Sequence, residues 1–388
     1  MAAEPRSRGH EIAFANPAPA PSRLIASAGF ANLEVPPISV IPTKLVEPTP
    51  LVRDVDHFLA LLGFCDHEFT AAQVNRWMTV LAEWRPDAVL DSMGVACCAA
   101  ARISQIPVIE ILQGDFHPDG PGFTWWLPAE SSPTPVDAFN AVLAGGGVAP
   151  VDRAGRLLLK SATVVVGSPS TDPVPDPSLK HVGLLGWGDS SANLPAAIPA
   201  PGRRPLVFLY GGKPRYRPGT VFWGDSAIVL DASLKALAPM DVDVVLGGGG
   251  QELPDGLPSN VTPLEYAPGQ ALAKRADVMI HHGGHGSTLT ALAAGTPALV
   301  IPTYSERESN GRRVTALGAG LCLVPDRVGI DQWLDSGSVR DAIGRLLEES
   351  QFRVSAAVAA HELAALPGAA HAADAVELTI QRAGKPGF

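Results

Sequence analysis

Short apolar runs that stop at glycine or proline and lead into helical patterns recur in the second half of the chain. Glycines follow the first two of these runs, two histidines and then two glycines follow the third, and Pro302 follows the last. The runs are residues 206–210, 242–246, 278–280 and 298–301. Because strands that alternate with helices form βαβ units, this pattern predicts an α/β fold with a mainly parallel sheet.

The first half shows the same alternation in a less regular form. Residues 55–84 are predicted as one or two helices, and residues 87–90 as a buried strand that ends at Asp91. Residues 107–112 are predicted as another strand, and the loop that follows, residues 113–128, is rich in glycine, proline and aromatic side chains. Long loops within compact domains are often functional, so this loop is a candidate ligand site.

The length and local composition divide the chain. A length of 388 residues favours two domains. Between residues 183 and 205 the sequence becomes rich in proline, glycine, alanine and serine and loses periodicity, as linkers do. We therefore predict a first domain at residues 1–185, a linker at 186–204, a second domain at 205–365 and a terminal helix at 366–388.

Composition excludes several classes of protein. The net charge of −10 and the lack of a basic tract disfavour nucleic-acid binding. No apolar run reaches the roughly 18–20 residues that a membrane span needs, and the first residues lack the apolar core of a signal peptide. Four scattered cysteines are too few for a disulfide framework and are typical of buried thiols in a reducing cytoplasm.

The turn at residues 276–290, ADVMIHHGGHGSTLT, allows three interpretations. A metal site at His281, His282 and His285 is disfavoured, because the intervening glycines break the helix that would align the ligands. A purely structural glycine turn is the second possibility. The third is an anion site, since a helix that begins at such a turn presents unpaired N–H groups and a positive dipole end.

The residues around this turn favour the anion site. Residues 263–320 resemble the donor-binding segment of the family-1 glycosyltransferases, which are two-domain GT-B enzymes that include macrolide and plant natural-product glycosyltransferases. The elements of the family pattern occur here in the right order. They are Tyr266 and Pro268, His282, Gly284 and Ser287, Gly295-Thr296-Pro297, Pro302, Glu306-Arg307, Asn310, and Leu317-Gly318-Ala319-Gly320.

The resemblance implies two Rossmann-like domains that face each other across a cleft, the first binding the acceptor and the second a nucleotide sugar. The terminal helix would cross back to the first domain. The implied activity is inverting transfer of a sugar from a UDP or dTDP donor to a hydroxyl of a small lipophilic or natural-product acceptor, without a metal or a bound cofactor. The implied donor-binding residues are Gly211, Gly212, Tyr266, His282, Gly284, Gly286, Ser287, Glu306, Arg307 and Asn310. Lys213 and Arg215 are either further diphosphate contacts or surface charges.

Two departures from the family pattern bear on the donor. Glu306-Arg307 stands where the family usually has Asp-Gln, and a guanidinium suits carboxylates or phosphates, which allows an acidic sugar or an ion pair with a neighbouring glutamate. Thr290 stands where the plant-like pattern has a glutamate that binds the ribose hydroxyls. A dTDP donor lacks one of these hydroxyls, so Thr290 slightly favours dTDP over UDP.

The catalytic residues are the largest departure. Asp91 matches the aspartate that orients a catalytic histidine in the family, but the histidine belongs to a first βα unit that we expect to be absent, and His10 does not match it. His117 is a candidate replacement base. Asp115, Trp125 and Trp126 are candidates for the acceptor pocket, although His117 could equally bond within its loop and the tryptophans could serve packing.

A second function therefore stays open alongside the enzyme. The chain could be a non-catalytic or truncated GT-B protein that binds a nucleotide sugar or partners an active glycosyltransferase. Another GT-B enzyme, such as a cell-wall glycosyltransferase or a sugar-nucleotide epimerase, is a third and less favoured interpretation.

Overall fold

A computed structural model describes residues 2–16, 25–159, 162–185, 193–200, 202, 204–212, 227–248, 256–329 and 331–383. Lys213 and Arg215 lie outside these ranges, and the predicted linker at 186–204 lies within them only in part. Of the described helices, none combines the length and the apolar character that a bilayer span requires.

The first half alternates short strands and helices. A single π-helical turn at Ala60–Phe64, in which Gly63 has a φ of 93°, separates the two helices of the region predicted as one or two. The elements are α1 (Ala3–Ser7), β1 (Ala13–Ala15), β2 (Ala31–Leu33), α2 (Val55–Leu59), α3 (His67–Trp84), β3 (Val89–Asp91), α4 (Val95–Ile103), β4 (Val108–Leu112), α5 (Val136–Gly145), β5 (Ala162–Val166) and β6 (Lys180–Gly183).

The second half continues the alternation more regularly. Its elements are β7 (Leu206–Tyr210), α6 (Ala227–Leu237), β8 (Asp243–Gly247), β9 (Val261–Leu264), α7 (Gly269–Arg275), β10 (Val278–His281), α8 (His285–Ala294), β11 (Ala298–Val300), α9 (Ser305–Ala316), β12 (Gly320–Cys322), β13 (Asp326–Val328), β14 (Asp331–Trp333), α10 (Ser336–Glu348), α11 (Ser350–Ala364) and α12 (Gly368–Ala383). The antiparallel hairpin of β13 and β14 was not among the predicted elements.

The sheet of the second half is continuous and parallel, with strand order β12-β11-β10-β7-β8-β9. Successive side chains point to opposite faces of a strand, and both faces are buried here. Val278 and Ile280 of β10 enter one core with α6 and α10, whereas Met279 enters the other with α8 and α11. The predicted α/β class with parallel sheets is therefore confirmed.

The strands of the first half form two separate parallel sheets. One pairs β1 with β2, and the other has the order β3-β4-β5-β6. Within the described residues, no ladder joins β1 to β3. The core of this half lies between the four-stranded sheet, α3, α4 and α5, where Phe123 and Phe139 are fully buried.

The last helix, α12, lies on the sheet of the first half. Its Ala372 packs against Val164 of β5 and Val182 of β6. Near the other end of the chain, Arg8 donates to the carboxylate of Asp374 at 2.6 Å. The chain therefore passes from the first half to the second and returns.

Candidate functional site

A cavity of about 1250 Å³ lies where the two halves meet. The first half contributes the neighbouring edges of β1 and β3, including Phe14, Leu90 and Asp91. The second half contributes the ends of β7 and β8, the exposed ring of Tyr266, and the start of α8. Ligands of open α/β sheets bind beyond the carboxyl ends of the strands, and Asp91, Tyr210 and Gly247 are the last residues of β3, β7 and β8.

The start of α8, which follows the glycine turn of residues 282–284, forms part of the wall of this cavity. Gly283 has a φ of 86°, and a Cβ atom there would lie 2.6 Å from the carbonyl oxygen of Arg307. Gly284 caps α8, and its carbonyl accepts from the N–H groups of Ser287 and Thr288 at 3.0 Å. Gly286 and Ser287 line the cavity, so the first turn of α8, with its unpaired N–H groups, faces open space.

The two adjacent histidines of the turn are buried and neutral. His281 Nδ1 accepts from the N–H of Gly283 at 3.1 Å, and burial lowers the pKa of His281 to about 3. Burial also lowers the pKa of His282, helped by the charge of Arg307. Among the described residues, His282 Nδ1 has no hydrogen-bond partner, and the side chain is not part of the cavity wall. The diphosphate contact expected of His282 stays a prediction.

Gly212 lies close to His282. Its φ is 94°, and a Cβ atom there would approach the His282 ring to 3.0 Å. Tyr210, two residues earlier, contacts the same ring edge-on, with the centroids 6.0 Å apart. Gly211 and Gly212 therefore let β7 pass close to the glycine turn.

His285, the first residue of α8, binds the opposite half. Its Nε2 lies 2.8 Å from the Oδ1 atom of Asp172, which follows β5, and both side chains are buried. Burial would lower the pKa of His285, but the charge of Asp172 and its hydrogen bond raise it. The sequence analysis could not predict this contact, because Asp172 stands 113 positions away from His285 and no local pattern links them.

Asn310, one of the predicted donor-binding residues of α9, holds the glycine turn. The Nδ2 atom of Asn310 donates to the carbonyl of Gly283 and to Oε1 of Glu306, both at 2.9 Å. Arg307 donates from Nη1 to the hydroxyl of Thr303 at 2.5 Å and lies over the ring of Tyr304. None of Glu306, Arg307 and Asn310 lines the cavity as described. Their sugar-binding role stays a prediction.

The predicted acceptor residues of the long loop have a different position. The buried carboxylate of Asp115 accepts from Arg313 Nη1 at 2.7 Å and from the hydroxyl of Ser309, both on α9. Trp125 Nε1 also donates to that hydroxyl, at 2.8 Å. The guanidinium of Arg312 lies over the Trp126 ring at 4.5 Å. Asp115, Trp125 and Trp126 thus join the two halves and are not part of the described cavity wall, and their role in binding an acceptor stays a prediction.

The structure does not bring the two predicted catalytic residues together. The His117 ring is buried in its own loop, where Nδ1 accepts from the N–H of Asp119 at 3.2 Å, and it does not line the cavity. Asp91 does line the cavity. The structure therefore gives no contact that would make His117 the base that Asp91 orients.

Asp91 has a neighbour that the sequence analysis missed. This neighbour is Glu110 on β4, which is the register partner of Asp91, so the two side chains share one face of the sheet. Asp91 accepts from the N–H of Gly94 at 2.6 Å, and Glu110 accepts from the N–H of Met93 at 2.9 Å. Burial and the charge of Asp91 raise the pKa of Glu110. The sequence does carry a signal for this residue, because Glu110 is the one charged residue in the apolar strand VIEIL.

Comparison with known proteins agrees with this architecture. Residues 231–378 match the family described as erythromycin biosynthesis protein CIII-like, C-terminal domain. The 4'-demethylrebeccamycin synthase of Lentzea aerocolonigenes is 35% identical over 159 residues, which are 41% of this chain and 36% of that protein. The elloramycin glycosyltransferase ElmGT of Streptomyces olivaceus is 28% identical over 301 residues, which are 75% of this chain and 68% of that protein.

Solved structures match over most of both chains. The glycosyltransferase SnogD from Streptomyces nogalater superposes with a TM-score of 0.67 and 25% identity over 96% of this chain and 92% of its own. SsfS6 of Streptomyces sp. SF2575, complexed with thymidine diphosphate, superposes with a TM-score of 0.68 and 21% identity over 97% of this chain and 93% of its own. The fold of two Rossmann-like domains is confirmed, and so is the resemblance expected from the sequence: the chain is similar to GT-B glycosyltransferases of the natural-product type.

Proposed function

We propose that this chain is an inverting glycosyltransferase that moves a sugar from a dTDP or UDP donor to a hydroxyl group of a small, lipophilic natural product. The donor would bind with its diphosphate at the start of α8 and its base beside Tyr266. The acceptor would enter the cavity from the side of β1 and β3. We propose that the nucleotide sugar is a co-substrate and that the reaction needs no metal or bound cofactor.

One observation carries this proposal. The first turn of α8, at Gly286 and Ser287, opens into the same cavity as Asp91 of the opposite half. A helix start stabilises the charge that develops on a leaving diphosphate, and a carboxylate across the cavity suits an acceptor hydroxyl. The thymidine diphosphate complex of SsfS6 supports the dTDP alternative, since that protein shares the fold.

Calorimetry with dTDP and UDP tests the donor site, and incubation with dTDP- and UDP-sugars and polyketide acceptors tests turnover. We expect micromolar-range binding of at least one nucleotide and a product whose anomeric proton shows inverted configuration by NMR. If neither dTDP nor UDP binds at millimolar concentration, the proposal is overturned. His282→Ala should weaken nucleotide binding, and an unchanged affinity would remove His282 from the diphosphate site.

The alternative is a GT-B protein that binds a nucleotide sugar without transferring it, or that partners an active glycosyltransferase. It is favoured by the position of His117, which is buried in its loop away from Asp91 and the cavity. Nucleotide binding without turnover, across the same panel of acceptors, would decide for this alternative. We further propose a cytoplasmic location, which the free thiols of Cys65, Cys97, Cys98 and Cys322 support.

A further inference from the structure

His285 lies where three features of the molecule meet. It is the first residue of α8, it lines the cavity, and its Nε2 lies 2.8 Å from Asp172 of the opposite half. The imidazole is thus held between the two halves at the helix end that faces the cavity. No residue of the family pattern described above falls at this position, so the resemblance assigns it no role.

Asp172 is an anion that requires a cation beside it. Its carboxylate is buried, and it also accepts from the N–H of Gly114 at 3.0 Å and the hydroxyl of Thr171 at 2.9 Å. Burial opposes ionisation, but His285 and these two donors keep the pKa of Asp172 below its usual value. A carboxylate with three donors is stabilised in its charged form, and His285 supplies the positive charge.

Acidic groups on three other segments of the chain act on the pKa of His285 in the same direction. Burial, the largest influence, favours the neutral ring, but Asp172, Glu306 of α9 and Asp115 of the long loop raise the pKa of His285 above its ordinary value. The nearby cations already bind elsewhere: Arg313 pairs with Asp115, and Arg307 bonds Thr303. Protonation is therefore favoured at His285, whereas burial disfavours it at His281 and His282.

We propose that His285 is the cationic side chain that binds the diphosphate of the nucleotide at the start of α8, and that Asp172 holds its imidazolium in place from the other half. This inference rests on the proposed function. Without His285, a diphosphate at the first turn would face the buried carboxylate of Asp172, where charges are poorly screened. The arrangement also couples the halves, because a diphosphate that binds the protonated ring strengthens the His285–Asp172 contact.

The test is calorimetric titration of the full chain with dTDP between pH 6 and pH 9. The affinity for dTDP should fall as the pH rises through the pKa of His285, because the imidazolium loses its proton and with it its positive charge. His285→Gln should bind about tenfold more weakly at pH 6 and lose this dependence on pH. Inorganic pyrophosphate should show the same dependence, because the diphosphate is the group that is recognised.

A double variant separates charge from structure. In His285→Gln the bare carboxylate of Asp172 repels the ligand, so His285→Gln/Asp172→Asn should recover most of the lost affinity. His361→Gln, which changes an exposed histidine on α11, is the matched control and should leave binding at wild-type values at every pH. Melting temperatures of all variants by circular dichroism establish that the proteins are folded.

The outcomes distinguish this inference from the proposed function. If wild type binds neither dTDP nor UDP, the proposed function fails and the inference with it. If dTDP binds but His285→Gln keeps the wild-type affinity and pH dependence, the inference alone is overturned. If His285→Gln does not fold, ¹⁵N chemical shifts of the wild-type imidazole decide: a rise in the His285 pKa on adding dTDP supports the inference, and no change overturns it.

Discussion

The two halves of the molecule organise their strands differently. The second half has one continuous six-stranded parallel sheet, buried on both faces. The first half divides its strands between β1-β2 and β3-β4-β5-β6, and Leu90 of the β3 edge is 40% exposed to the cavity between them. The proposed nucleotide site thus lies on a continuous, buried sheet, and the proposed acceptor side lies on sheet edges and loops.

This difference shows how the site depends on each half. The cradle at α8 is formed by neighbours in sequence, residues 281–288, and is braced by α9 of the same half. The other wall of the site needs contacts between residues that are far apart in sequence. Variants that strain the local turn should therefore damage the second half alone, whereas variants at the contacts between halves should affect both.

Gly283→Ala should have the largest effect. Its φ of 86° and a Cβ only 2.6 Å from a backbone oxygen allow no relaxed alanine, so we expect a loss of about 3 kcal/mol in the stability of the second half. The hydrogen-exchange rates of the backbone amides of β10 and β11 measure this loss of stability. Gly286→Ala is the matched control: nothing lies within 4 Å of its Cβ position, and alanine should stabilise α8 by up to about 1 kcal/mol. Equal effects of the two variants would contradict a strained turn.

Arg313→Ala should follow, with a loss of about 3 kcal/mol, because it leaves Asp115 buried and unpaired. Urea unfolding followed by tryptophan fluorescence reports it, since Trp125 and Trp126 lie at the same contact. Arg345→Ala removes an exposed ion pair with Glu349 and should change little. If Arg313→Ala were as mild as this control, the contact between the halves would contribute little stability.

Glu110 provides a test by pH in the first half. Its pKa is raised in the folded state, so between the ordinary pKa of a glutamate and that higher value the folded chain binds more protons than the unfolded chain. The stability of the folded chain should therefore fall as the pH rises through this window. Glu110→Gln should abolish this fall and should lower the free energy of unfolding only slightly at neutral pH. A wild-type stability that is flat over the window would show that Glu110 is ionised.

Tyr266→Ala should have the smallest effect and should act on binding alone. The ring is 75% exposed at the cavity, so its removal should leave the unfolding transition unchanged. If it stacks on the nucleobase, dTDP affinity should fall by about 1 kcal/mol, roughly fivefold in Kd. Trp333→Ala, an exposed ring on β14 outside the cavity wall, is the control and should not alter the affinity. Identical affinities for the two variants would place the base elsewhere.

The predictable part of the structure is the part that depends on local sequence. The strand at Val278–His281 and the helix at His285–Ala294 follow from an apolar run, glycines and a helical pattern, all within 20 positions. Asp91 was found in the same way, from its place at the end of a strand. These signals predict the α/β class, the turn at which we propose that the nucleotide binds, and one acidic residue of the cavity.

The contacts between halves could not be predicted in this way. Asp115 lies near a strand end, where ligands often bind, but Arg313, 198 positions later, takes its carboxylate. Trp125 likewise bonds Ser309, 184 positions away. Such pairs form because buried charges and indole N–H groups need partners, and nothing in the neighbouring sequence says which partner it will be.

The position of α12 has a consequence for how the chain folds during synthesis. Val164 and Val182 of the first half are covered by Ala372, which leaves the ribosome 190 positions after Val182. Domains generally fold in the order in which they are made, yet this one keeps apolar strand surface open until the last helix arrives. The first half of the molecule is therefore translated first but completed last. A chain that stops before α12 would leave the apolar surface of β5 and β6 exposed and prone to aggregation.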